Sequence, residues 1–340
     1  MSATTAKSTH NLGRSARKRG LHFGAAISTW DLRNPLYVRA IRRDCTLLAA
    51  EYEMKWDAIA AGGDAGYEPG DAILAFAEAQ GLAVHGHTLW WHESVPRPLA
   101  GVPPRAFADA ALGHLTQTAR HYAGRLHSWD VVNEPLDLAQ GREDGLRASP
   151  FLEAFGPDYI GIAYRAAAEA APSAVLVLNE MGLEYGSEAA ERKRRALLGL
   201  LNRELADGTP IQAVGIQSHL DAVRQPKENP GLRAFLREIR GMGLGVMITE
   251  MDVTDHACPR DRRKRDRMVA DVYRAYLDLV LEEARVLSIA TWGLTDGRTW
   301  LSGFRPRADG APVRPLPLDA AFRRKPAWHA IADVLAGPGS

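Results

Sequence analysis

The sequence is 340 residues long and carries 42 Lys and Arg against 41 Asp and Glu, which gives a formal net charge of +1 at pH 7. This balance lacks the basic excess of nucleic-acid binders and of polybasic membrane-surface proteins, so we expect neither kind of partner. The two cysteines, Cys45 and Cys258, are too few for a disulfide framework or a thiolate metal cluster, and the sequence leaves open whether they pair.

The chain begins with a polar and basic segment. Residues 1–20 have no apolar run behind them, which predicts a disordered or loosely packed tail and shows no signal peptide. No later segment approaches the roughly 18 consecutive apolar residues of a membrane span. The sequence therefore leaves the cellular location open.

Eight short apolar or β-branched runs follow, and each predicts a buried strand. They begin at His22, Leu47, Ala83, His127, Ala174, Ala213, Gly245 and Leu287. Segments with helical spacing lie between them, such as "GDAILAFAEAQG" and "YIGIAYRAAAEAAP". This alternation predicts parallel strands covered by helices, in a single-domain (β/α)8 barrel over residues 21–337. An open doubly wound sheet is the competing fold, but no G-x-G-x-x-G follows the first strand.

Two stretches near the C-terminus are rich in charge or proline. Residues 260–267 ("RDRRKRDR") are interpreted as the solvated, mixed-charge start of a helix. The Pro- and Arg-rich segment from Phe304 onward predicts a final loop, which leads into a closing helix from Ala327.

The carboxyl ends of the predicted strands are rich in polar residues. In a (β/α)8 barrel these ends converge on one mouth, where barrel enzymes place their active sites. The residues at these ends are Glu51, Lys55, His85, His87, Asn133, Glu134, Asn179, Glu180, Gln217, His219, Glu250, Asp252, Trp292 and Asp296. We therefore expect a functional pocket at this mouth.

Two carboxylates stand out because apolar strand residues come just before each: Glu134 in "WDVVNEP" and Glu250 in "VMITE". The fourth and seventh strands lie on opposite sides of an eight-stranded ring, so we expect these side chains to face each other across a substrate. Paired carboxylates in this arrangement are what cleavage of a glycosidic bond requires. Either glutamate alone would more often be an ion-pair partner, so the prediction depends on the pair.

Four tryptophans near the same mouth indicate a sugar ligand. Trp90, Trp91, Trp292 and Trp300 offer flat apolar faces with polar edges, which suit pyranose rings. Each taken singly would more often belong to the core, whereas four at one rim favour a binding surface.

Two other classes of protein fit part of the pattern. In a metal-dependent barrel hydrolase, His85, His87, His219 and Asp296 would hold a divalent ion. Such an enzyme would lose activity with a chelator, whereas a two-carboxylate glycosidase would not. A non-catalytic sugar-binding barrel is the third class, and the presence of both glutamates argues against it.

The strand-end motifs resemble, in order and over nearly the whole chain, those of glycoside hydrolase family 10, the endo-1,4-β-xylanase barrels. They are "EYEMKWD", "GHTLWWH", "WDVVNEP", "GIQSHLD", "ITEMD" and "WGLTDGRTWL", and "KPAW" resembles the family's closing helix. The resemblance implies a retaining, endo-acting hydrolase of xylan or xylooligosaccharides, and it suggests a secreted or periplasmic protein. The alternative is the same chemistry on another β-linked polysaccharide or an aryl glycoside. We expect a monomer without cofactor or metal.

The resemblance also assigns roles to single residues. It implies Glu134 as the general acid/base, with Asn133 beside it, and Glu250 as the nucleophile. His219 and Asp252 would form the hydrogen-bonded group that holds the nucleophile. The residues implied to bind the glycone part of the substrate, together with Asn133, are Glu51, Lys55, His87, Trp91, Gln217, Trp292 and Trp300.

Four positions depart from the usual family pattern. Tyr52 replaces an Asn that hydrogen-bonds the sugar, His85 replaces an Arg, Trp90 an aliphatic residue and Ser94 a Gln. The catalytic residues are kept while their surroundings change. We therefore expect the cleavage chemistry to be retained, and the glycan and its decorations stay open.

Overall fold

The structure is a computed structural model that describes residues 11–224 and 229–337. The strands are β1 (His22–Ile27), β2 (Leu47–Ala50), β3 (Ala83–Gly86), β4 (Trp90–Trp91), β5 (Ser128–Asn133), β6 (Val175–Glu180), β7 (Ala213–Ile216), β8 (His219–Asp221), β9 (Gly245–Thr254) and β10 (Val286–Thr291). The main strands lie where the eight apolar runs predicted them.

Eight of these strands close into a barrel. They follow the order β1, β2, β3, β5, β6, β7, β9 and β10, and β10 pairs in parallel with both β9 and β1. The short strands β4 and β8 extend the mouth by pairing in parallel with β5 and β9. The predicted single-domain (β/α)8 fold is therefore confirmed, and the competing prediction of an open doubly wound sheet is wrong.

The helices alternate with the strands and cover the barrel. They are α1 (Leu12–Lys18), α2 (Pro35–Asp44), α3 (Trp56–Ala61), α4 (Glu68–Gln80), α5 (Pro104–His121), α6 (Pro150–Phe155), α7 (Tyr159–Ala170), α8 (Glu188–Ala206), α9 (Pro230–Gly241), α10 (Arg262–Glu283), α11 (Leu301–Phe304) and α12 (Pro326–Ala336). Polar N-caps start several of them; for example, the side chains of Ser187 and Asn229 accept hydrogen bonds from the first turns of α8 and α9. In the described part of the chain, none of the helices is long and apolar enough to cross a membrane.

The strands are buried on both faces, as parallel strands covered by helices are expected to be. Every residue of β5 and β9 is buried. A large apolar cluster includes the residues of the outer helices, and a separate small one joins Val177, Ala213 and Met247 on neighbouring strands. Polar side chains in these strands are therefore enclosed, and they must find hydrogen-bond partners on one another.

Part of the predicted N-terminal tail is folded. Residues 1–10 of that tail lie outside the described residues, but residues 12–18 form α1, whose Asn11 cap accepts a hydrogen bond from the Arg14 backbone. Leu12 and Ala16 are buried, and Arg19 donates to the backbone oxygen of Val334 in α12. The prediction of disorder is wrong for this segment because the i, i+4 pair Leu12 and Ala16 gives the basic helix a buried face.

The charged stretch 260–267 does begin a helix, α10, but it is not fully solvated. Arg265 is buried and donates to Asp255 at 3.0 Å. The carboxylate of Asp266, also buried, accepts a bidentate hydrogen bond from Arg314 of the final loop. The prediction of a solvated start is wrong for these two residues because the final loop covers them. The closing helix is confirmed as α12, and both cysteines are buried and unpaired with each other.

Candidate active site

The mouth of the barrel holds a pocket of about 520 Å³. Eleven of the twelve predicted site residues line it: Glu51, Lys55, His87, Trp91, Asn133, Glu134, Gln217, His219, Glu250, Trp292 and Trp300. The twelfth, Asp252, lies behind His219 and accepts hydrogen bonds from His219 and Trp300. Strand ends that are distant in sequence thus converge on one cavity, as the predicted fold requires.

Glu134 follows the last residue of β5 with an unusual backbone conformation. Its φ is 55°, in the left-handed region that non-glycine residues seldom adopt, and its backbone N–H donates to Asn179 at 2.9 Å. Strain of this kind is concentrated at functional sites. Its Oε1 accepts hydrogen bonds from the Gln217 amide at 2.8 Å and from the Asn133 amide at 3.5 Å, and its Oε2 accepts one from the Trp91 indole at 3.1 Å.

Glu250 enters the same pocket from β9 with different partners. Its Oε1 accepts a hydrogen bond from the Asn179 amide at 2.8 Å, and its Oε2 lies 3.4 Å from Nε2 of His219. Burial opposes ionisation of this carboxyl, but the contact with His219 and the charge of His87 outweigh it and hold the pKa of Glu250 below its usual range. Glu250 is therefore an anion at neutral pH.

His219 stands between two carboxylates. Its Nδ1 contacts Asp252 at 3.0 Å, and its Nε2 faces Glu250. Burial disfavours the charged imidazole, but the charge and hydrogen bond of Asp252 and the contact with Glu250 raise the pKa of His219 well above its ordinary value. The ring is therefore an imidazolium, and it carries the positive charge beside Glu250.

A chain of amides joins the two glutamates. The Asn179 amide donates to both Glu250 and the side-chain oxygen of Asn133, at 2.8 and 2.9 Å. The Thr249 hydroxyl donates to the Asn179 oxygen at 2.7 Å, which fixes the orientation of the amide. The sequence placed Asn179 at a strand end without assigning it a role. The signal that could have given Asn179 a role is its place at the end of β6, where a side chain that points inward reaches the site.

Comparisons with known proteins agree with this geometry. A family model described as "Glycosyl hydrolase family 10" matches residues 11–334. The chain belongs to glycosyl hydrolase family 10.

Relatives of this family 10 chain carry similar names. Endo-1,4-beta-xylanase C of Paenibacillus barcinonensis is 30% identical over 94% of the chain, which spans only 31% of that longer protein. An endo-1,4-beta-xylanase of Agaricus bisporus is 30% identical, covering 92% of this chain and 90% of its own length. The structure of xylanase 10B from Thermotoga petrophila RKU-1 in complex with xylobiose superposes with a TM-score of 0.84 at 28% identity, over 96% of this chain and 97% of that one. The family 10 chain is thus a glycoside hydrolase.

The metal-site alternative is not supported for this family 10 barrel. His85 and His87 both contact one oxygen of the buried Asp130, at 2.9 and 2.8 Å, while His219 is held by Asp252 on another strand. Burial disfavours a charged Asp130, but the two imidazoles outweigh it and lower its pKa. In residues 11–224 and 229–337, no group of three or more His, Cys, Asp or Glu side chains is arranged to hold a metal ion.

Asp296 does not reach the pocket of the family 10 barrel. It forms a buried ion pair with Lys325 at 2.9 Å, just before α12, and accepts a hydrogen bond from the Leu316 backbone. Burial raises the pKa of Asp296 to about 6, although Lys325 opposes the rise. The prediction that Asp296 lies at the mouth is wrong, because the chain has already turned toward the final loop.

Two of the residues that depart from the family pattern are also turned away from the mouth. Trp90 is fully buried, stacks on Phe151 and donates its indole N–H to the Ala111 backbone. Its predicted place at the rim is wrong, since its neighbour Trp91 faces the pocket and adjacent strand residues alternate. Ser94 is buried and donates to the Trp91 backbone.

Sequence reasoning missed a cation beside Glu51. Arg298 donates to Glu51 and to the Ser28 hydroxyl, each at 2.8 Å, and it pairs with Asp31 at 2.7 Å. Burial raises the pKa of Glu51, and Arg298 only partly offsets this effect. Because Arg298 lies in the loop after β10, nothing in the local sequence indicated the contact.

Proposed function

We propose that this family 10 chain is a retaining endo-1,4-β-xylanase, with Glu134 as acid/base and Glu250 as nucleophile. The observation that carries the proposal is that two carboxylates reach one pocket from β5 and β9 with unlike partners. Glu250 lies beside an imidazolium, whereas Glu134 is held by the neutral amide and indole groups of Gln217 and Trp91. Glycosidases need this division between an anion that attacks and an acid that protonates.

In the first step, an oxygen of Glu250 forms a bond to the anomeric carbon while the bond to the leaving oxygen breaks. Glu134 gives its proton to that oxygen. Asn179 and His219 hold the Glu250 carboxylate in place, so little reorganisation is needed before attack. The product of this step is a covalent glycosyl ester on Glu250.

In the second step, Glu134 acts as a base. Once esterified, Glu250 no longer carries a charge, and Glu134 takes a proton from a water molecule that attacks the same anomeric carbon. The bond to Glu250 breaks, and the product keeps the β configuration. Two inversions at one carbon give net retention.

The lining of the pocket supports a neutral sugar chain as substrate. Trp292 packs edge-on against His87 at 5.3 Å, and the Lys55 ammonium lies 4.7 Å from the centre of the Trp91 ring. Aromatic faces alternate here with groups that bond hydroxyls, among them Glu51. Such mixed surfaces bind pyranose rings, which have apolar faces and polar edges.

The test is a hydrolysis panel of xylan, glucuronoxylan, arabinoxylan and mixed-linkage glucan, followed by NMR of the newly formed anomeric centre. We expect internal cleavage of the xylans with the β-anomer appearing first, unaffected by EDTA. First appearance of the α-anomer would contradict the covalent step. Cleavage of glucan alone would support the alternative substrate.

We also propose that the enzyme acts as a monomer, because one barrel already supplies both carboxylates and the side chains that hold them. Light scattering during size-exclusion chromatography tests this, and a mass near 37.1 kDa is the expected result.

A further inference from the structure

Two exposed aromatic side chains flank a groove that continues the catalytic pocket. Trp30 is 68% exposed and Tyr52 is 51% exposed, and both line a groove of about 510 Å³. The groove shares Glu51 and Tyr52 with the catalytic pocket. Its volume lies in the range of small-molecule binding sites. A chain that leaves the pocket past Glu51 would therefore enter the groove.

Trp30 stands on a loop that buried carboxylates hold in place. Asp31 accepts a hydrogen bond from the Ser28 backbone at 2.8 Å, and Glu53 accepts one from the Thr29 backbone at 2.7 Å. Both carboxylates are buried. A ring mounted on a fixed loop loses little conformational freedom when a ligand binds, so the contact retains more of its free energy.

The side chain of Arg33 holds the Trp30 ring in place. The Arg33 guanidinium lies 4.4 Å from the ring centre and covers one face. Most of the side chain nevertheless remains exposed. The Trp30 ring is therefore held by Arg33 and is still exposed to solvent, so a ligand can stack on it.

The charges of the groove favour a neutral ligand. Its cation, Arg298, is already paired with Asp31 and Glu51. Glu53 adds a further carboxylate to the lining. Among the side chains that line the groove, the carboxylates of Glu51 and Glu53 therefore outnumber the cation of Arg298, which disfavours an anionic sugar.

We propose that this groove is a distal sugar-binding site, in which a neutral β-linked pyranose of the substrate's non-reducing part stacks on Trp30 and Tyr52. The inference rests on the proposed function, since the family resemblance places Glu51 on the glycone side. It adds a site to the chain, because Tyr52 stands where the family's usual Asn would offer no aromatic face. The enzyme therefore prefers substrates that extend beyond the sugar held at Glu51.

The test uses reducing-end-labelled β-1,4-xylopentaose and the ratio of labelled xylobiose to labelled xylotriose. Labelled xylobiose forms when three sugars lie on the glycone side and one of them enters the groove. We expect Trp30→Ala to lower this ratio about 3- to 10-fold, the effect of losing one aromatic contact. Trp30→Phe should restore most of it. A ratio does not depend on the fraction of folded enzyme.

Leu36→Ala is the matched control. Leu36 is 54% exposed on the neighbouring helix α2, and within the described chain it lines neither the groove nor the catalytic pocket. We expect it to leave the ratio unchanged. An equal change in Leu36→Ala and Trp30→Ala would overturn the proposed site.

Two further outcomes separate the inference from the proposed function. If wild-type enzyme cleaves xylan and Trp30→Ala keeps the wild-type ratio, the groove proposal is wrong and the function stands. If wild-type enzyme cleaves no β-1,4-xylan, both proposals are wrong. If Trp30→Ala lowers the product ratio only on glucuronic acid-substituted oligosaccharides, the groove binds an acidic sugar, and the proposal of a neutral ligand is wrong.

Discussion

Replacing His219 with Gln removes the positive charge beside Glu250, the proposed nucleophile, while keeping a polar side chain of similar size. At the observed 3.4 Å from Glu250, two unit charges interact by about 5 kcal/mol at an effective dielectric constant of about 20. Desolvation of the imidazolium cancels part of this, and contacts to charged groups contribute a net of about 1.5–3 kcal/mol. We therefore expect kcat/KM at neutral pH to fall about 10- to 100-fold.

The pH profile of this variant gives a second, more specific result. The pKa of Glu250 is lowered in the native enzyme, so its anion persists until the pH falls through that lowered value. Without the imidazolium, burial dominates and Glu250 takes up a proton at a higher pH. The acid limb of the kcat/KM profile, measured on an aryl β-xylobioside, should therefore move to higher pH.

His121→Gln is the matched control, because His121 forms a surface pair with Asp71 at 2.9 Å. We expect this variant to keep the native rate and profile. If His219→Gln is folded by circular dichroism and keeps the native acid limb, the assignment of His219 as the charge that holds Glu250 ionised is wrong.

Three other variants test separate parts of the structure. Glu134→Ala should lower kcat/KM about 100- to 10,000-fold on xylan but much less on activated aryl glycosides, whose leaving groups need no proton; because kcat/KM reports the first step alone, equal losses of kcat/KM on both would remove Glu134 from the acid role. Asn179→Ala should lower kcat about 10- to 100-fold, because it removes a hydrogen bond to the Glu250 carboxylate. Thr249→Val only loosens the Asn179 amide and should lower kcat less. A larger loss in Thr249→Val would contradict the role of the 2.8 Å contact between Asn179 and Glu250. Lys325→Met should reduce the free energy of unfolding in urea by about 3–5 kcal/mol because it removes the nearer cation of the buried Asp296 and leaves only Arg314, at 3.5 Å. A decrease no larger than that of the surface variant Lys18→Met would show that the pair contributes little.

The barrel and most of its site could be predicted because both follow from local patterns. Short apolar runs mark parallel strands, and the closed ring brings their ends together whatever their separation in sequence. The sequence alone therefore placed Glu134 and Glu250 in one pocket. It could do so without any information on loops.

What sequence reasoning missed depends on side-chain direction and on long-range contacts. Trp90 and Trp91 are adjacent and chemically equal, so only the strand geometry decides which of them faces the pocket. Asn133 and Glu134 are adjacent too, yet both line the pocket, since the left-handed backbone of Glu134 ends the alternation. The contact between Arg298 and Glu51 joins residues far apart in the chain, and no spacing rule indicates it.

The contact between α1 and α12 has a use in protein engineering. Arg19 of the segment after α1 donates to the Val334 backbone of α12 at 2.8 Å, so the two extremities of the folded barrel are neighbours in space. A short peptide would suffice to join them covalently, and new ends could then be opened at an exposed loop remote from the sugar-binding cleft. Such a circularly permuted enzyme would let a partner module be attached at that loop instead of beside α1 and α12.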